Sequence, residues 1–281
     1  MSVLTVVEAL SRARAAGVDR LDAHLLLAAC MHRSRAWLIA NDDAVLSDDL
    51  MQTFVTWLGR RASGEPLAYV LGEKEFHGLT LSVNSDVLVP RADTETLVDW
   101  ALELLGDGRA DSEVIDLGTG SGAIALAIKN VMPQARVTGV DKSNAALNVA
   151  KANGQRLELD VNWRSGHWWG GAGTQCFDLA VSNPPYIAEG DGHLASLSHE
   201  PRSALTAGAD GLDDIRVIVT GAMKHLKPGA WLLLEHGHDQ AEAVGSLLAA
   251  VGFNAVLSRK DLAGITRCTG ARAPDQSQGL F

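Results

Sequence analysis

The feature that most constrains the fold is an alternation of short apolar strands with amphipathic helices, which begins near residue 113. The segments with strand character are residues 114–117, 136–140, 178–181 and 231–235, with a further one near 255–257. The segments with helical character lie between them, at 123–130, 143–156, 210–226 and 239–251. Because parallel strands are joined by helical crossovers, this alternation predicts an α/β fold with a mostly parallel sheet and helices on both faces.

The residues before this alternation have a different pattern. Residues 1 to about 65 show the apolar spacing of short amphipathic helices, which predicts a small helical bundle. A Gly-Glu-Pro segment at 64–66 ends this pattern, and apolar alternation over 79–83 predicts a β-hairpin. We therefore predict three parts, which are a helical N-terminal domain at 1–70, a hairpin linker at 71–90 and an α/β domain at 91–281. The last ten residues, rich in polar side chains, Gly and Pro, are expected to fray.

A glycine-rich loop follows the first strand of the alternation and reads Gly118-Thr119-Gly120-Ser121-Gly122. Glycines at such a strand–helix turn let a ligand approach the backbone closely. Asp141 ends the second strand, where a carboxylate can accept both hydrogen bonds of a ribose diol. An NAD enzyme is compatible with these residues alone. Asp116, two residues before the loop, favours S-adenosylmethionine instead, since its carboxylate can take a cationic group and would repel a pyrophosphate.

A second motif follows the apolar run at 179–181 and reads Asn183-Pro184-Pro185-Tyr186. Two prolines cannot extend a sheet ladder, so the strand ends in a stiff turn, at the edge where open α/β sheets bind ligands. The Asn183 amide oxygen and the Pro184 carbonyl accept hydrogen bonds, and Tyr186 offers a flat face. These groups suit a planar –NH2 substrate, either a carboxamide or the amino group of a base. For the motif taken alone, a purely structural turn is the alternative.

The chain resembles class I S-adenosylmethionine-dependent methyltransferases that modify amino nitrogens. The resemblance lies in the order of the glycine-rich loop, the acid expected to bind ribose and the N-P-P-Y motif. The (D/N)-P-P-(Y/F) motif is shared there by adenine-N6 DNA methyltransferases and protein glutamine-N5 methyltransferases. The flanking segments are similar to those of the bacterial peptide chain release factor glutamine methyltransferases, and this similarity covers nearly the whole chain. The segments that carry it are residues 64–69, 72–76, 90–95, 182–187, 200–205, 234–237 and 261–264.

The resemblance implies a Rossmann-like, seven-stranded methyltransferase domain preceded by a helical-bundle domain and a β-hairpin linker. The implied reaction moves a methyl group from S-adenosyl-L-methionine to the side-chain amide nitrogen of the glutamine in the Gly-Gly-Gln loop of class I release factors. The cofactor contacts carried over by motif are Gly118, Thr119, Gly120, Ser121, Gly122, Asp141, Trp168 and Asn183. The implied catalytic residues are Asn183, Pro184 and Tyr186, and the substrate contacts are these three together with Pro185.

The chain departs from the family pattern at two positions. Ala92 stands where the family usually has Pro, which removes one rigid φ angle and matters little. His167 stands where the family usually has Asp before the Trp, a position at which an acid would accept from the adenine amino group. Neutral His167 can accept with one ring nitrogen but its cation cannot, which predicts cofactor affinity that is weak or falls below pH ~6.5. The alternative is that a backbone carbonyl binds adenine and His167 plays no part.

Charge and composition separate the remaining classes of function. The net charge of −10 disfavours a broad phosphate-binding surface, and with it a nucleic-acid adenine methyltransferase. A non-enzymatic partner of the translation machinery is disfavoured by the intact glycine loop and N-P-P-Y. No segment approaches the ~18 consecutive apolar residues of a membrane span, and the N-terminus lacks the pattern of a signal peptide. We therefore expect a monomeric, cytoplasmic enzyme that binds neither nucleic acid nor membranes.

The cysteines and histidines give no sign of a metal site. Cys30, Cys176 and Cys268 are odd in number and far apart, which fits neither a disulfide framework nor zinc and is typical of a reducing compartment. His236 and His238 form an H-x-H motif, but no third ligand lies at a recognisable spacing. The sequence therefore predicts no bound metal.

Overall fold

The computed structural model describes residues 4–106 and 111–275. The chain divides into two compact units, Met1–Glu73 and Lys74–Phe281. Of the ten C-terminal residues expected to fray, residues 276–281 lie outside the described part. The assignment of separate functions to residues 1–70, 71–90 and 91–281 stays a prediction.

The first unit is a helical bundle, as the apolar spacing predicts. Its described helices are α1 (Val6–Ala15), α2 (Arg20–Met31), α3 (Arg35–Ala40), α4 (Asp48–Ala62) and α5 (Leu67–Leu71), and β1 (Leu4–Thr5) pairs antiparallel with β2 (Val45–Leu46). Thr5 caps α1 in a capping box with Glu8. The fully buried side chains of Leu26, Leu27 and Phe54 form the centre of the core. Because each helix is short, this shared core stabilises the unit more than helix propensity does.

The second unit is built around a large twisted sheet. Its described elements are β3 (Glu73–Phe76), β4 (Leu79–Ser82), α6 (Glu95–Leu105), β5 (Glu113–Leu117), α7 (Ala123–Val131), β6 (Arg136–Asp141), α8 (Asn144–Arg156), β7 (Asn162–Ser165), β8 (Phe177–Ser182), α9 (Asp213–Ala222), β9 (Leu226–Glu235), α10 (Ala241–Ala250), β10 (Asn254–Lys260) and β11 (Thr266–Arg272). The strands β3 and β4 form a separate two-stranded sheet.

Seven strands form the main sheet in the order β10-β11-β9-β8-β5-β6-β7. All neighbours are parallel except those of β11, which runs antiparallel to both β9 and β10. Helices α6 and α7 pack on one face, and α9 and α10 contribute to the core on the other. The prediction of a seven-stranded, mostly parallel sheet with helices on both faces is therefore confirmed.

Two strands of this sheet, β7 and β11, were not predicted from the apolar pattern of the sequence. Strand β7 reads Asn-Trp-Arg-Ser at the sheet edge and has no fully buried residue, so it lacks an apolar run. Strand β11 is antiparallel and mixes buried Cys268 and Ala271 with polar residues at both ends. Short edge strands and antiparallel strands need fewer apolar residues than the central parallel strands do.

The sheet topology determines where a ligand can bind. Strand β5 lies between β6 on one side and β8 on the other, so the chain leaves its carboxyl end in one direction and returns on the opposite side. A crevice forms at such a reversal of strand order. In the described residues, no helix is long and apolar enough to cross a membrane.

Candidate active site

A cavity of about 270 Å³ opens at the carboxyl ends of the central strands, within the second unit. Its wall includes parts of the segments 85–94, 118–124, 141–146, 166–168, 183–185 and 201–204. These segments include the glycine loop and the N-P-P-Y motif, which are more than 60 residues apart in the chain. Of the predicted site residues, Gly118, Thr119, Gly120, Ser121, Asp141, Trp168, Asn183 and Pro185 line the cavity, whereas Gly122, Pro184 and Tyr186 do not.

The glycine loop requires glycine for reasons that the backbone shows. Gly118, Gly120 and Gly122 have φ angles of +76°, +55° and +83°, which side chains disfavour. A Cβ on Gly118 would also lie 2.9 Å from Cζ3 of Trp168, which packs directly against the loop. The Gly120 N–H donates to Asp141 Oδ2 over 2.9 Å, which ties the loop to β6.

Asp141 is fixed at the cavity wall by the backbone. Its Oδ1 accepts from the Ser143 N–H at 2.8 Å, and its Oδ2 accepts from Gly120. Each carboxylate oxygen has a further lone pair after these bonds, so the group can still accept from a diol. This geometry is compatible with the ribose role expected from the sequence.

Asp116 does not contact the cavity, contrary to the sequence expectation that it meets a cationic ligand group. Its side chain is fully buried beneath the loop, where Oδ2 accepts from the Thr119 hydroxyl at 2.5 Å and from the Ala125 N–H at 3.2 Å. Burial raises the pKa of Asp116 to about 7, although both hydrogen bonds act to lower it. Asp116 therefore shapes the loop and orients Thr119 instead of binding a ligand.

Asn183 lines the cavity with an orientation that Thr94 fixes. The Asn183 Nδ2 donates to Thr94 Oγ1 at 3.1 Å, and Thr94 is buried at the cavity wall. With Nδ2 engaged in this way, Oδ1 is the atom of the amide that is available to accept from a ligand. Sequence reasoning missed Thr94, since it used the segment 90–95 only as one of the segments that carry the family resemblance.

Pro184 and Tyr186 do not line the cavity, while Pro185 forms part of its wall. Contact of the Pro184 carbonyl with a substrate stays a prediction. The Tyr186 hydroxyl donates to Glu235 Oε1 at 3.3 Å, and its backbone carbonyl accepts from Gln240 Nε2 at 3.1 Å. Burial raises the pKa of Tyr186 above its ordinary value. The stacking of Tyr186 on a substrate amide stays a prediction.

Glu235 ends β9 and is a group that sequence reasoning did not assign to the site. Only 1% of it is exposed, and burial raises the pKa of its carboxyl to about 7. Hydrogen bonding from Thr94 and Tyr186 acts against this rise. The signal in the sequence was an acid directly after the apolar run at 232–234, at the carboxyl end of a strand.

Trp168 and His167 also form part of the cavity wall. Trp168 is 6% exposed and has a φ of +50°, and its indole N–H donates to Asp214 Oδ1 over 3.0 Å. His167 has 55% of its side chain exposed, and its Nε2 lies 4.0 Å from the same Asp214 oxygen. The acid that the family usually carries next to this Trp is absent here. Asp214 from α9 instead places a carboxylate close to Trp168 and His167.

An ion pair joins Arg91 of the cavity wall to the buried carboxylate of Glu200. Glu200 accepts from the guanidinium of Arg91 and, with Oε2, from the Val89 N–H at 3.1 Å. The side chain of Glu200 is 2% exposed. This contact holds the segment after N-P-P-Y against the segment at 89–91, so that Pro201 and Ser203 form part of the cavity wall.

The two histidines of the H-x-H motif lie in different environments, since His236 is buried and His238 has 74% of its side chain exposed. His236 is buried, with Nε2 at 2.8 Å from Thr269 Oγ1 and Nδ1 at 2.8 Å from the Gly237 carbonyl. Burial lowers the pKa of His236. Across residues 4–106 and 111–275, no three His, Cys, Asp or Glu side chains are grouped to hold a metal ion.

Comparison with known proteins places this geometry in a family. Residues 5–72 match the family model for the PrmC N-terminal domain, and residues 95–209 match that for the methyltransferase small domain. A methyltransferase structure from Pyrococcus furiosus covers 70% of this chain and 90% of its own at a TM-score of 0.53 and 18% identity, which shows the fold alone.

The curated relatives share much more of the sequence. The release factor glutamine methyltransferase of Bordetella pertussis is 48% identical over 257 residues, which cover 90% of this chain and 95% of that protein. The protein of the same name from Coxiella burnetii is 44% identical and covers 90% of this chain and 91% of its own. Identity at this level over nearly the full length of both chains shows that this protein belongs to the release factor glutamine methyltransferase family.

Proposed function

We propose that this protein methylates the side-chain amide nitrogen N5 of a glutamine, the one in the Gly-Gly-Gln loop of class I peptide chain release factors, with S-adenosyl-L-methionine as the methyl donor. The observation that carries the proposal is the orientation of Asn183. Thr94 engages its Nδ2, so the amide presents an acceptor, Oδ1, on the same cavity as the glycine loop. An acceptor suits a substrate that brings two N–H donors, as a primary carboxamide does.

The residues on one side of the cavity fit S-adenosylmethionine. The positive φ angles of Gly118 and Gly120 leave the loop backbone open to close approach by a ligand. Asp141 has acceptor capacity for a ribose diol, and Trp168 offers an aromatic ring for the adenine. When bound there, the cofactor supplies a methyl group activated by a positively charged sulfur.

The residues on the other side would orient and polarise the substrate amide. An amide nitrogen is a poor nucleophile because its lone pair is delocalised into the carbonyl. Asn183 Oδ1 and the Pro184 carbonyl would each accept one N–H of the substrate, which fixes the nitrogen in position and favours the positive charge that develops on it during methylation. The nitrogen loses its proton after it has been methylated, when it is far more acidic. Pro185 and Tyr186 would support this site from the same turn.

The N-terminal unit is proposed to dock the body of the release factor, with residues 71–90 as the linker to the catalytic domain. A Gly-Gly-Gln loop alone offers little contact area compared with a standard protein interface. The described part of this unit exposes five large apolar side chains, which are Val7, Leu21, Ile39, Val45 and Val55. A surface on which such side chains lie together would suit contact with a protein partner.

A single substitution tests this docking role. Ile39 is 67% exposed, so Ile39→Ser is expected to raise KM for a full-length release factor about threefold to tenfold and to leave KM for a loop peptide unchanged. Val131→Ser in α7, at a side chain 47% exposed, is the matched control. Equal KM values for the two variants with the full-length factor would refute the docking role.

Several finer properties are part of the same proposal. Activity as a monomer is one of them. The net charge of −10 supports a protein substrate in place of a nucleic acid. Cys30, Cys176 and Cys268 are free thiols, which supports a cytoplasmic location.

Intact-mass spectrometry tests the function directly. The purified protein is incubated with S-adenosylmethionine and an unmethylated class I release factor, its Gln→Ala loop variant, or an adenine-containing DNA duplex. A gain of one methyl group on the wild-type release factor alone supports the proposal. A methylated duplex with an unmodified release factor would mean that the N-P-P-Y motif reads a base edge and would overturn it.

A further inference from the structure

A buried carboxylate pairs with an arginine of the cavity wall. Arg91 lines the cavity, and its guanidinium donates to Glu200 Oε1. The other oxygen of that carboxylate, Oε2, accepts from the Val89 N–H at 3.1 Å. Glu200 does not line the cavity and is almost completely buried, whereas the Arg91 side chain is partly exposed. The proposed methyl transfer uses neither side chain.

The pairing matters for the charge that a ligand in the cavity meets. The ionisable side chains of the described cavity wall are Asp86, Arg91, Asp141, Lys142 and His167. With Glu200 included, this group holds three carboxylates and two cations. An arginine side chain stays protonated at any pH at which the protein is folded, so only an acid beside it can compensate its charge. Glu200 is therefore the group that prevents an unpaired positive charge on this part of the wall.

The methyl donor and the product of its reaction differ in charge at the sulfur atom. S-adenosylmethionine carries a positive sulfonium, whereas the S-adenosylhomocysteine that remains after methyl transfer is a neutral thioether. The adenosine and amino-acid groups are the same in both. An unpaired guanidinium on the cavity wall would repel the sulfonium of the donor and would leave the thioether of the product unaffected.

Arg91 lies close to the place where the transfer is proposed to occur. Arg91 and Thr94 both line the cavity, and because they are three residues apart their Cα atoms lie within about 10 Å of each other. Thr94 Oγ1 accepts from Asn183 Nδ2 at 3.1 Å, and Asn183 is the proposed acceptor for the substrate amide. A charge on Arg91 therefore acts on the part of the cavity in which donor and substrate would meet.

We propose that Glu200 is a specificity-determining residue, which pairs with Arg91 and thereby lets the cavity bind the cationic methyl donor in preference to its neutral product. The inference rests on the proposed use of S-adenosylmethionine in this cavity, and it adds the residue that controls the choice between donor and product. Without this carboxylate, the product would occupy a larger share of the enzyme at the same concentrations of the two ligands.

Calorimetric titration with each of the two ligands tests the proposal. Glu200→Gln keeps the size of the side chain and removes its charge, so Kd for S-adenosylmethionine is expected to rise about fivefold to tenfold, and Kd for S-adenosylhomocysteine less than about twofold. Because the ligands share all their other groups, a purely structural defect would weaken the binding of both equally. Glu242→Gln, at an exposed glutamate of α10, is the matched control and should leave the ratio of the two Kd values unchanged.

Removal of the positive charge should have the opposite effect. Arg91→Gln leaves the Glu200 carboxylate with the Val89 N–H, which favours its ionised form, so the preference for S-adenosylmethionine is expected to increase about threefold or more. The double variant removes both charges and should return the preference to within about twofold of wild type. If Glu200→Gln does not fold, the increase in Arg91→Gln carries the test by itself.

The results that would overturn the proposal differ from those that would overturn the proposed function. Equal changes of the two Kd values in folded Glu200→Gln would show a structural role alone, and an unchanged preference in Arg91→Gln would equally overturn the inference. The titrations need no methyl acceptor. If the preference changes as expected but intact-mass spectrometry finds no methyl group on a release factor, the role of Glu200 stands and the proposed substrate fails.

Discussion

The cavity has two halves that are built in different ways. We call the glycine loop with Asp116 and Asp141 the loop half, and Thr94, Asn183, Tyr186 and Glu235 the amide half. The loop half comes from one strand–loop–helix unit and the next strand, and its shape depends on backbone angles that glycine adopts readily. The amide half comes from three segments that are separated by about 90 and 50 residues. Its geometry depends on side-chain hydrogen bonds between those segments.

Despite this difference, the two halves share one feature, which is a buried carboxyl group. In each, a buried carboxyl group accepts a hydrogen bond from a hydroxyl of the same half, Asp116 from Thr119 and Glu235 from Tyr186. Burial raises the pKa of both acids to about 7. Both also have one carboxylate oxygen without a regular hydrogen bond among the described residues. The fold thus accepts the unfavourable burial of one acid in each half of the site.

The largest expected effect is at Asn183 in the amide half. Asn183→Ala removes the proposed acceptor, and we expect kcat to fall by about 10²-fold or more, because an acceptor aligned with developing charge contributes that much. Cofactor affinity should change much less, since the loop half is intact. Initial rates and calorimetric titration with S-adenosylmethionine measure the two quantities.

Asn254→Ala, at an exposed position of β10, controls for a general effect of the substitution. A near wild-type rate for Asn183→Ala would show that the amide half does not orient the substrate. A large loss of cofactor affinity with an unchanged kcat would mean that Asn183 belongs functionally to the loop half.

The next effect is at Gly118 in the loop half. Gly118→Ala meets an unfavourable φ of +76° and a contact of 2.9 Å with Trp168, so the loop or the ring must move. We expect a loss of stability of about 1–3 kcal/mol. Cofactor binding should weaken by about tenfold, because the displaced groups line the cavity. Thermal unfolding and calorimetric titration provide both values.

Gly173→Ala is the matched control, since Gly173 has a φ of +63° with open space around its Cβ position. This variant should lose only about 1 kcal/mol and bind the cofactor normally. If Gly118→Ala behaves in the same way, the contact with Trp168 does not contribute to cofactor binding, and the loss of stability comes from the backbone angle alone.

The contrast between the halves explains what the sequence could predict. Gly118, Gly120 and Asp141 are close in the chain to the strands that position them, so a local motif was enough to identify them. Asn183 was identified from the N-P-P-Y turn for the same reason. Thr94 and Glu235 depend on contacts across 89 and 49 residues with Asn183 and Tyr186, and no local pattern encodes those pairings.

Asp116 is the opposite case, a residue that the sequence wrongly placed in contact with the ligand. Its place two residues before the loop suggested a ligand contact, but side chains alternate between the faces of a strand, and its carboxylate lies under the loop with the Ala125 N–H. The mostly parallel sheet was predicted from strand–helix alternation, and its count of seven strands from the family resemblance. The order of the strands was not predicted, and the polar strands β7 and β11 carry too few apolar residues for the pattern alone to reveal them.

A pH series tests whether the two buried acids are equivalent. Their pKa values of about 7 in the folded protein exceed the ordinary values of 3.8 for Asp116 and 4.5 for Glu235. At a pH between the ordinary pKa and the raised pKa, each acid is protonated in the folded state and ionised in the unfolded state. The folded state therefore holds more protons, and the free energy of unfolding should fall as the pH rises from about 4 to about 7. Asp116→Asn and Glu235→Gln should each flatten this decline, as measured by denaturant unfolding at fixed pH steps.

The double variant is expected to flatten the decline further, since the two acids lie in different halves and titrate through separate contacts. Glu242→Gln should leave the pH dependence as it is. One single variant could leave the pH dependence of the unfolding free energy unchanged while the other reduces it. Only one half would then contain an acid with a raised pKa, and the parallel between the halves would fail.

The smallest effect is expected at Asp214, which tests how local the loop half is. Trp168 packs against Gly118, yet its indole N–H donates to Asp214 Oδ1 in α9 over 3.0 Å. Asp214→Ala leaves this buried donor without its acceptor, which costs about 1 kcal/mol and should weaken cofactor binding about fivefold, while Asp214→Asn retains an acceptor and should bind nearly as wild type does. Calorimetric titration with S-adenosylmethionine measures both variants. If Asp214→Ala binds as tightly as wild type, the sequence-local contacts alone hold Trp168, and the division of the cavity into a local and a non-local half becomes sharper. A loss shared equally by Asp214→Asn would mean that the charge of Asp214 matters beyond its hydrogen bond, and the loop half would then depend on a distant helix much as the amide half depends on Glu235.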